Sequence, residues 1–154
     1  MENLSSDAVR VVVVGALPKA FGLTRADLAA AARAFAERSR ARVGGVWREV
    51  TVNLVRDPQS DSAHRAIMGI AGATDVITQA YESIPGEPQG LYGELIVNVD
   101  QALRACPKRW PKAKELLLYV AHGMDHLSGA DDHAERDYQA MRRRELRWLR
   151  QLGR

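Results

Sequence analysis

The sixteen-residue, largely apolar stretch KAKELLLYVAHGMDHL restricts the possible folds of this chain more than any other segment. It is typical of one long helix from about Lys112 to Leu127. Two of the chain's four histidines, His122 and His126, lie in it four residues apart. That spacing places both imidazoles on the same face of a helix. Gly129 follows three residues after His126, where a left-handed glycine ends the helix and turns the chain back. The pattern predicts a histidine pair beside a tight turn.

The turn is expected to bring a third metal-binding side chain to the open side of the two imidazoles. The residues ten and eleven positions after His122 are Asp132 and His133. Three protein ligands and a water are typical of a catalytic zinc, whereas a structural zinc closes its fourth position with another Cys or His. No such residue is nearby in the sequence, although His64 would supply a fourth ligand if the fold brought it close. A bare HxxxH pair is common by chance, but the longer pattern is rarer and indicates a zinc site.

A peptidase is not expected, although metzincin peptidases also combine two histidines, a glycine turn and a third ligand. Their general base is a glutamate directly after the first histidine. Here that position is Gly123. Asp125 lies in the motif, but it is about 100° around the helix from His126 and is expected to point away from the metal. The pattern therefore lacks the base that peptide hydrolysis requires.

Strand and helix patterns alternate through the first half of the chain. A β-branched run at 8–17 and an alternating segment at 46–55 are typical of strands. In the second strand, the alternation places Trp47 on the face opposite Val50. Thr24 followed by Asp27 is typical of the start of the alanine-rich helix between these two strands.

The second half is predicted to add two strands and four helices. A short helix follows within 57–70, capped at Ser60 or Asp61. The other elements are strands at 74–78 and 93–99, a helix from Asp100, the helix from Lys112 and an amphipathic helix at about 134–152. The chain is thus predicted to be α/β (α+β), one domain over residues 1–154, with a small mixed sheet of about four strands flanked by about five helices. The metal site is expected on the helix from Lys112 and the turn after it.

Composition bears on the compartment. Cys106 is the single cysteine and has no partner for an internal disulfide, which favours a reducing compartment. No apolar run approaches the roughly 20 residues of a membrane helix, and the first seven residues lack the pattern of a signal peptide. We therefore expect a cytoplasmic protein with no membrane association.

Positive charge is concentrated at the C-terminus. The whole chain has a formal net charge of +3, but residues 133–154 contain seven arginines and three acidic residues. The arginine-rich side of such a helix is either an ordinary solvent-exposed surface or a nucleic-acid-binding surface. If Arg142, Arg143, Arg147 and Arg150 meet phosphates, RNA affinity will depend on salt.

Four segments, in order, resemble one known family. HGMDHLSGADDH resembles HGxLHLxGYDH, the signature of the YbeY family, which comprises bacterial zinc-dependent endoribonucleases that mature ribosomal RNA. ATDVIT is similar to PTDVLSF, YGELIVN to LGDIVIS, and AMRRRE to MxxxE. The resemblance runs from about Val50 to Glu145. It implies a single-strand endoribonuclease that acts in 16S rRNA 3′ end processing and ribosome quality control.

The resemblance also implies a metal and partners. His122 and His126 would hold one Zn²⁺ per chain. Ribosomal RNA and the small ribosomal subunit would be the partners, with a small-subunit ribosomal protein as a further partner. The family's third histidine falls on Asp132 here, and His133 is one residue further. Zinc accepts a histidine nitrogen or a carboxylate oxygen at about 2.0–2.2 Å, so both assignments stay open.

The other matched positions are candidates for the catalytic cleft. The family has an arginine seven residues before the aspartate of TDV, where it is expected to meet an RNA phosphate, but Met68 stands there. Arg65, one helical turn earlier, is either its substitute or a surface residue. Asp75 and Glu94, at the TDV and GEL positions, either orient a ligand histidine and line the cleft or make local strand contacts. Gln79 and Ala130 replace aromatic residues of the family pattern.

A second function is consistent with the same residues. Because Met68 replaces the family's arginine, the chain is also interpretable as a zinc-containing ribosome assembly factor that binds RNA or a ribosomal protein without cutting. Hydrolysis of a small phosphodiester is a third alternative.

Overall fold

Four strands form one mixed sheet. The structure, a computed structural model, describes residues 8–130 and 133–154. Within these residues the strands are β1 (Arg10–Val14), β2 (Trp47–Val55), β3 (Val76–Tyr81) and β4 (Leu91–Asn98). Their order in the sheet is β1-β2-β4-β3; β1, β2 and β4 are parallel, and β3 pairs antiparallel with β4 at the edge. The predicted α/β (α+β) class with a small mixed sheet is confirmed.

Five α-helices accompany the sheet in the described part of the chain. They are α1 (Arg25–Val43), α2 (Asp57–Ala63), α3 (Val99–Ala105), α4 (Lys112–Leu127) and α5 (Glu135–Gln151). The predicted start of α1 is confirmed, because Thr24 and Asp27 exchange backbone-to-side-chain hydrogen bonds of 3.0 and 2.8 Å. Helix α4 has the predicted bounds. None of the described helices has the length and apolar character needed to cross a bilayer.

Helix α4 is the centre of the molecule. It packs against β3 and β4 on one side, and α1, α3 and α5 contact its other sides. Its residues Leu116, Leu117 and Leu118 are buried in the common core. His122 and His126 are half-buried near its C-terminal end, close to the edge strand β3. The helix thus leads from the core to the place where the predicted site should lie.

The predicted alternation of β2 is wrong at its beginning. An irregularity between Trp47 and Glu49 shifts the register against β4. As a result Trp47 is 4% exposed and joins the core with Val50, instead of facing away from it. A β-bulge adds one residue to the period of two, and the alternating pattern alone does not reveal it.

The predicted cap of the second helix is also wrong. Helix α2 begins at Asp57, where the amide oxygen of Gln59 accepts a hydrogen bond from the Arg56 N–H at 3.1 Å. Ser60 and Asp61 lie inside the helix and bind the loop at 72–74 instead. A single π-helical turn, His64–Met68, follows α2 directly. Ser and Asp favour caps because they bind nearby backbone groups, and here those groups are distant in sequence.

Candidate metal centre

The two histidines of α4 face one another as predicted. Their Nε2 atoms are 3.1 Å apart, and their ring centroids are 4.5 Å apart with an interplanar angle of 79°. Both side chains belong to the last turns of one helix, so the four-residue spacing alone produces this geometry. The pair lies beside the helix end, where Gly129 adopts φ +94°.

The other nitrogen of each ring has an oxygen partner. Nδ1 of His122 donates to the carboxylate of Glu145 at 3.0 and 3.1 Å, and Nδ1 of His126 donates to the carbonyl of Ala130 at 3.2 Å. With the proton on Nδ1, the Nε2 of a neutral imidazole carries a lone pair. Two converging lone pairs repel unless a proton or a cation lies between them. The residues present therefore fit a zinc ion, which imidazole nitrogens bind at about 2.0–2.1 Å.

Glu145, on α5, positions the ring of His122. Its side chain is 1% exposed, and burial raises the pKa of this carboxyl to about 7, against the lowering effect of the His122 hydrogen bond. The nearby Asp125 carboxylate also contributes to this raised pKa. A carboxylate that accepts from the outer nitrogen of a metal-binding histidine fixes the ring orientation and increases the basicity of the inner nitrogen.

The raised pKa of Glu145 predicts a pH-dependent stability of the metal-free protein. A carboxyl with a higher pKa folded than unfolded keeps more protons in the folded state, so the free energy of unfolding falls as pH rises from about 4.5 to about 7. Glu145→Gln should flatten this decline. Urea titrations of chelator-treated protein across that range measure it, and an equally steep decline in the variant would contradict the assignment.

Asp125 is fully buried, and the expectation that it points away from the metal stays a prediction. Its carboxylate accepts from Nε of Arg144 on α5 at 2.9 Å and from Nη2 of Arg42 on α1. Arg42 also donates to the carbonyl of Ser128, at 3.4 Å, in the turn after α4. The signature HGxLHLxGYDH has leucine at this position. Two arginines thus compensate a charge where the family pattern is apolar.

Gly123 stands where a peptidase would carry its glutamate, and it lies close against the sheet. A Cβ at this position would lie 2.7 Å from Cδ2 of Leu95 and 3.2 Å from Cγ2 of Val76, both on the sheet beneath α4. Contacts this close force the neighbours to shift. A side chain at position 123 would therefore displace the ends of the Leu95 and Val76 side chains.

The third ligand stays a prediction. His133 is exposed just before α5, and Asp132 lies outside the described residues. Over 8–130 and 133–154, no three His, Cys, Asp or Glu side chains are grouped so as to hold a metal ion. The structure thus brings together His122 and His126, with Glu145 behind them.

Asp75 and Glu94 lie on different sides of the sheet. Asp75 lines a cavity of about 340 Å³ with His122, Arg142 and Glu145, and it also accepts from the Val76 N–H at 2.7 Å. Glu94 alternates with Gly93 and Leu95, which face α4, so it points to the opposite face, where it lines a concavity with Glu49 and Thr51. The structure does not bring Glu94 to the histidines.

A second opening borders the other histidine. His126, His64 and Met68 line a cleft of about 470 Å³ with Thr74 and residues of β3. Arg65 is not among the residues that line it; its Nε donates to Asp61 at 3.0 Å, and its side chain is 62% exposed. Of the two interpretations of Arg65, a surface residue agrees with this exposure, and its role as a substitute for the family's arginine stays a prediction.

The functional residue that sequence reasoning missed is Glu145. It was noticeable as the one acid in the apolar stripe of α5, and it is the glutamate of AMRRRE, the segment similar to MxxxE. A charged residue on the buried face of an amphipathic helix needs a partner. That partner is His122, but it is 23 residues away in the sequence.

Comparison with known proteins agrees with the residue pattern. A family model described as Endoribonuclease YbeY matches residues 23–153. The chain is 36% identical over 115 residues to Endoribonuclease YbeY of Deinococcus radiodurans, which covers 71% of this chain and 73% of that protein. It is 32% identical over 127 residues to Endoribonuclease YbeY of an Anaeromyxobacter species, covering 80% and 66%.

Among solved structures, the solution structure of a Thermotoga maritima protein aligns with a TM-score of 0.49 and 18% identity, over 92% of this chain and 88% of that one. The family model covers most of the sequence, including α4, β3, β4 and α5. On this ground the chain belongs to the endoribonuclease YbeY family.

Proposed function

We propose that this chain is a zinc-dependent endoribonuclease that cuts single-stranded RNA in the cytoplasm, in 16S rRNA 3′ end processing and ribosome quality control. The observation that carries the proposal is the convergence of two imidazole Nε2 atoms at 3.1 Å, with Glu145 and a backbone carbonyl behind them. Ribosomal RNA in the small subunit is the proposed substrate, and a small-subunit ribosomal protein is a proposed partner.

When bound, zinc lowers the pKa of its water to about 7 and so supplies hydroxide at neutral pH. The protein's own side chains then have three tasks. His122 and His126 would hold the ion, Glu145 would keep the His122 ring in place, and the backbone carbonyl of Ala130 would do the same for His126. The open cleft beside His126 admits the phosphodiester. Phosphoryl transfer needs positioning and charge neutralisation more than covalent help from the protein.

Arginines of α5 are proposed to bind the RNA backbone. Arg142 lines the cavity beside His122, with its guanidinium 5.8 Å from the Trp110 ring centroid. Arg143, Arg147 and Arg150 are exposed along the same helix. Arginine is suited to binding phosphate because its planar guanidinium can donate hydrogen bonds to two phosphate oxygens at once.

Replacing an arginine that meets a phosphate should make RNA binding less sensitive to salt. For Arg143→Ala, Arg147→Ala or Arg150→Ala, the slope of log affinity against log salt should flatten by roughly 0.7 to 0.9. Binding of a single-stranded RNA at several salt concentrations measures this slope. Arg10→Ala, which removes an exposed arginine of β1, is the matched control. An unchanged slope in all three variants would assign α5 to a solvated face.

Cleavage of RNA tests the proposed activity directly. The purified protein, loaded with increasing zinc, is incubated with a structured RNA that contains single-stranded segments, alongside His126→Ala. We expect internal cuts by the parent protein and none by the variant. RNA that stays whole at every metal loading would refute the nuclease.

A second candidate function has a specific observation in its favour. Met68 lines the cleft beside His126 where the family pattern has arginine, and no arginine is among the described residues that line that cleft. A zinc-containing assembly factor that binds RNA without cutting would not need that cation. It would bind small-subunit particles and leave the RNA intact in the same experiment.

A further inference from the structure

The π-helical turn after α2 places a histidine at the proposed cleavage cleft. His64 lines the same cleft as His126, and these two are the imidazoles among the described residues that line it. The cleft's other lining residues are Met68, Thr74, Val76, Ile77 and Thr78. Single π-helical turns within helices frequently occur at functional sites. Among the described residues that line this cleft, a phosphodiester therefore meets the imidazole of His64 besides that of His126.

The ring of His64 is held in one orientation. Its Nδ1 is 2.8 Å from the carbonyl oxygen of Gly72. A carbonyl only accepts, so Nδ1 carries the hydrogen and donates it. The exchangeable proton of the charged ring is then on Nε2, and the neutral ring has its lone pair there. Nδ1 thus fixes the ring through its hydrogen bond to Gly72, and Nε2 is the nitrogen that can transfer a proton.

The loop that supplies this carbonyl is itself tied to α2. The Gly72 N–H donates to the Asp61 carboxylate at 2.6 Å. Buried Ser60 accepts from the Thr74 N–H at 3.0 Å and donates to the Thr74 carbonyl at 3.1 Å. These bonds explain why Ser60 and Asp61 are not helix caps. They preorganise the partner of His64, and preorganisation of this kind is what an acid or base in catalysis requires.

A role for His64 as a fourth metal ligand stays a prediction, and the zinc content of His64 variants tests it. The ring of His64 reaches the cleft from the π-helical turn, while His126 comes from α4.

We infer that His64 is the general acid of the proposed endoribonuclease, an inference that rests on the proposed function. The oxygen of a water molecule forms a bond to phosphorus, and the bond from phosphorus to the leaving oxygen breaks. The leaving oxygen takes the proton from Nε2 of His64. The ring is then reprotonated by the proton that the attacking water has lost, so atoms and charge balance over one turnover.

Substitution of the leaving atom tests this role. His64→Asn keeps an amide N–H for the Gly72 carbonyl but has no group equivalent to Nε2, and His64→Gln is a second variant. Each is assayed on an RNA with the natural leaving oxygen and on the same RNA with sulfur at that position, because a thiolate leaves without a proton. Ser62→Ala, an exposed position on α2, is the matched control.

We expect both His64 variants to cleave the oxygen substrate roughly 10²-fold more slowly or worse, to cleave the sulfur substrate at close to the parent rate, and to retain the parent's zinc content. Equal slowing on both substrates, or loss of zinc, would overturn the inference while leaving the nuclease in place. If the parent protein cleaves neither RNA, the proposed function itself fails and the inference falls with it.

Discussion

Protein with His126→Ala is expected to purify with close to no zinc, whereas the parent protein should carry about one ion per chain. The variant removes one of two Nε2 atoms that converge at 3.1 Å. A tetrahedral zinc site with three protein ligands binds the ion much more weakly when one ligand is lost. Other zinc-binding molecules in the cell then take the ion during expression and purification. Elemental analysis of protein purified without added metal measures the content.

The same measurement assigns the remaining ligand. His122→Ala should lose zinc as His126→Ala does. Of the two candidates for the third position, we expect His133→Ala to lower the zinc content and Asp132→Ala to keep it, because imidazole is the commoner zinc ligand in such sites. The reverse result would place a carboxylate oxygen on the ion.

The Glu145→Gln variant tests whether Glu145 orients the His122 ring or binds the zinc ion directly. It should retain the site but weaken zinc affinity by about 10- to 100-fold, as changes to the partner of a ligand histidine do. Tyr138→Phe, on the same helix and in the same cavity, is the matched control.

A His126→Ala protein that still carries about one zinc ion would refute the metal centre.

The elements that were predictable from sequence are those set by local pattern. Helix α4 has its predicted bounds because a largely apolar segment of sixteen residues lies between Pro111 and the Ser128–Gly129 turn and leaves few alternatives. The facing of His122 and His126 follows from helical periodicity alone. The capping box at Thr24 is likewise a contact between residues three apart.

The features that were not predictable depend on contacts between distant segments. The sequence offers Asp75 or Glu94 as the carboxylate that orients His122, but Glu145 is the carboxylate bonded to its Nδ1. Helix α5 packs on α4 and brings Glu145 to the ring, whereas Glu94 lies on the opposite face of the sheet. Ser60 was predicted to cap a helix but binds Thr74, 14 residues away. Periodicity gives the face of an element, but not what lies against it.

Asp125 is the strongest case of such a contact. Its carboxylate is fully buried, whereas the side chains of Arg144 and Arg42 are 28% and 36% exposed. The three residues are on different helices, α4, α5 and α1. The arginines can turn toward water if the acid is removed, but the acid cannot reach water if the arginines are removed. The effects of substitution should therefore be strongly asymmetric.

The double variant Arg42→Met/Arg144→Met should lower the free energy of unfolding by about 3 to 5 kcal/mol, since it leaves a buried charge uncompensated. Asp125→Leu should cost less, because it removes the buried charge itself and leaves both arginines free to turn toward water. Combining all three substitutions should restore most of the loss, and Arg143→Met, an exposed neighbour, should stay within about 0.5 kcal/mol. Denaturant titrations measure all four, and a triple variant as unstable as the double one would show that the arginines stabilise the fold through packing rather than through Asp125.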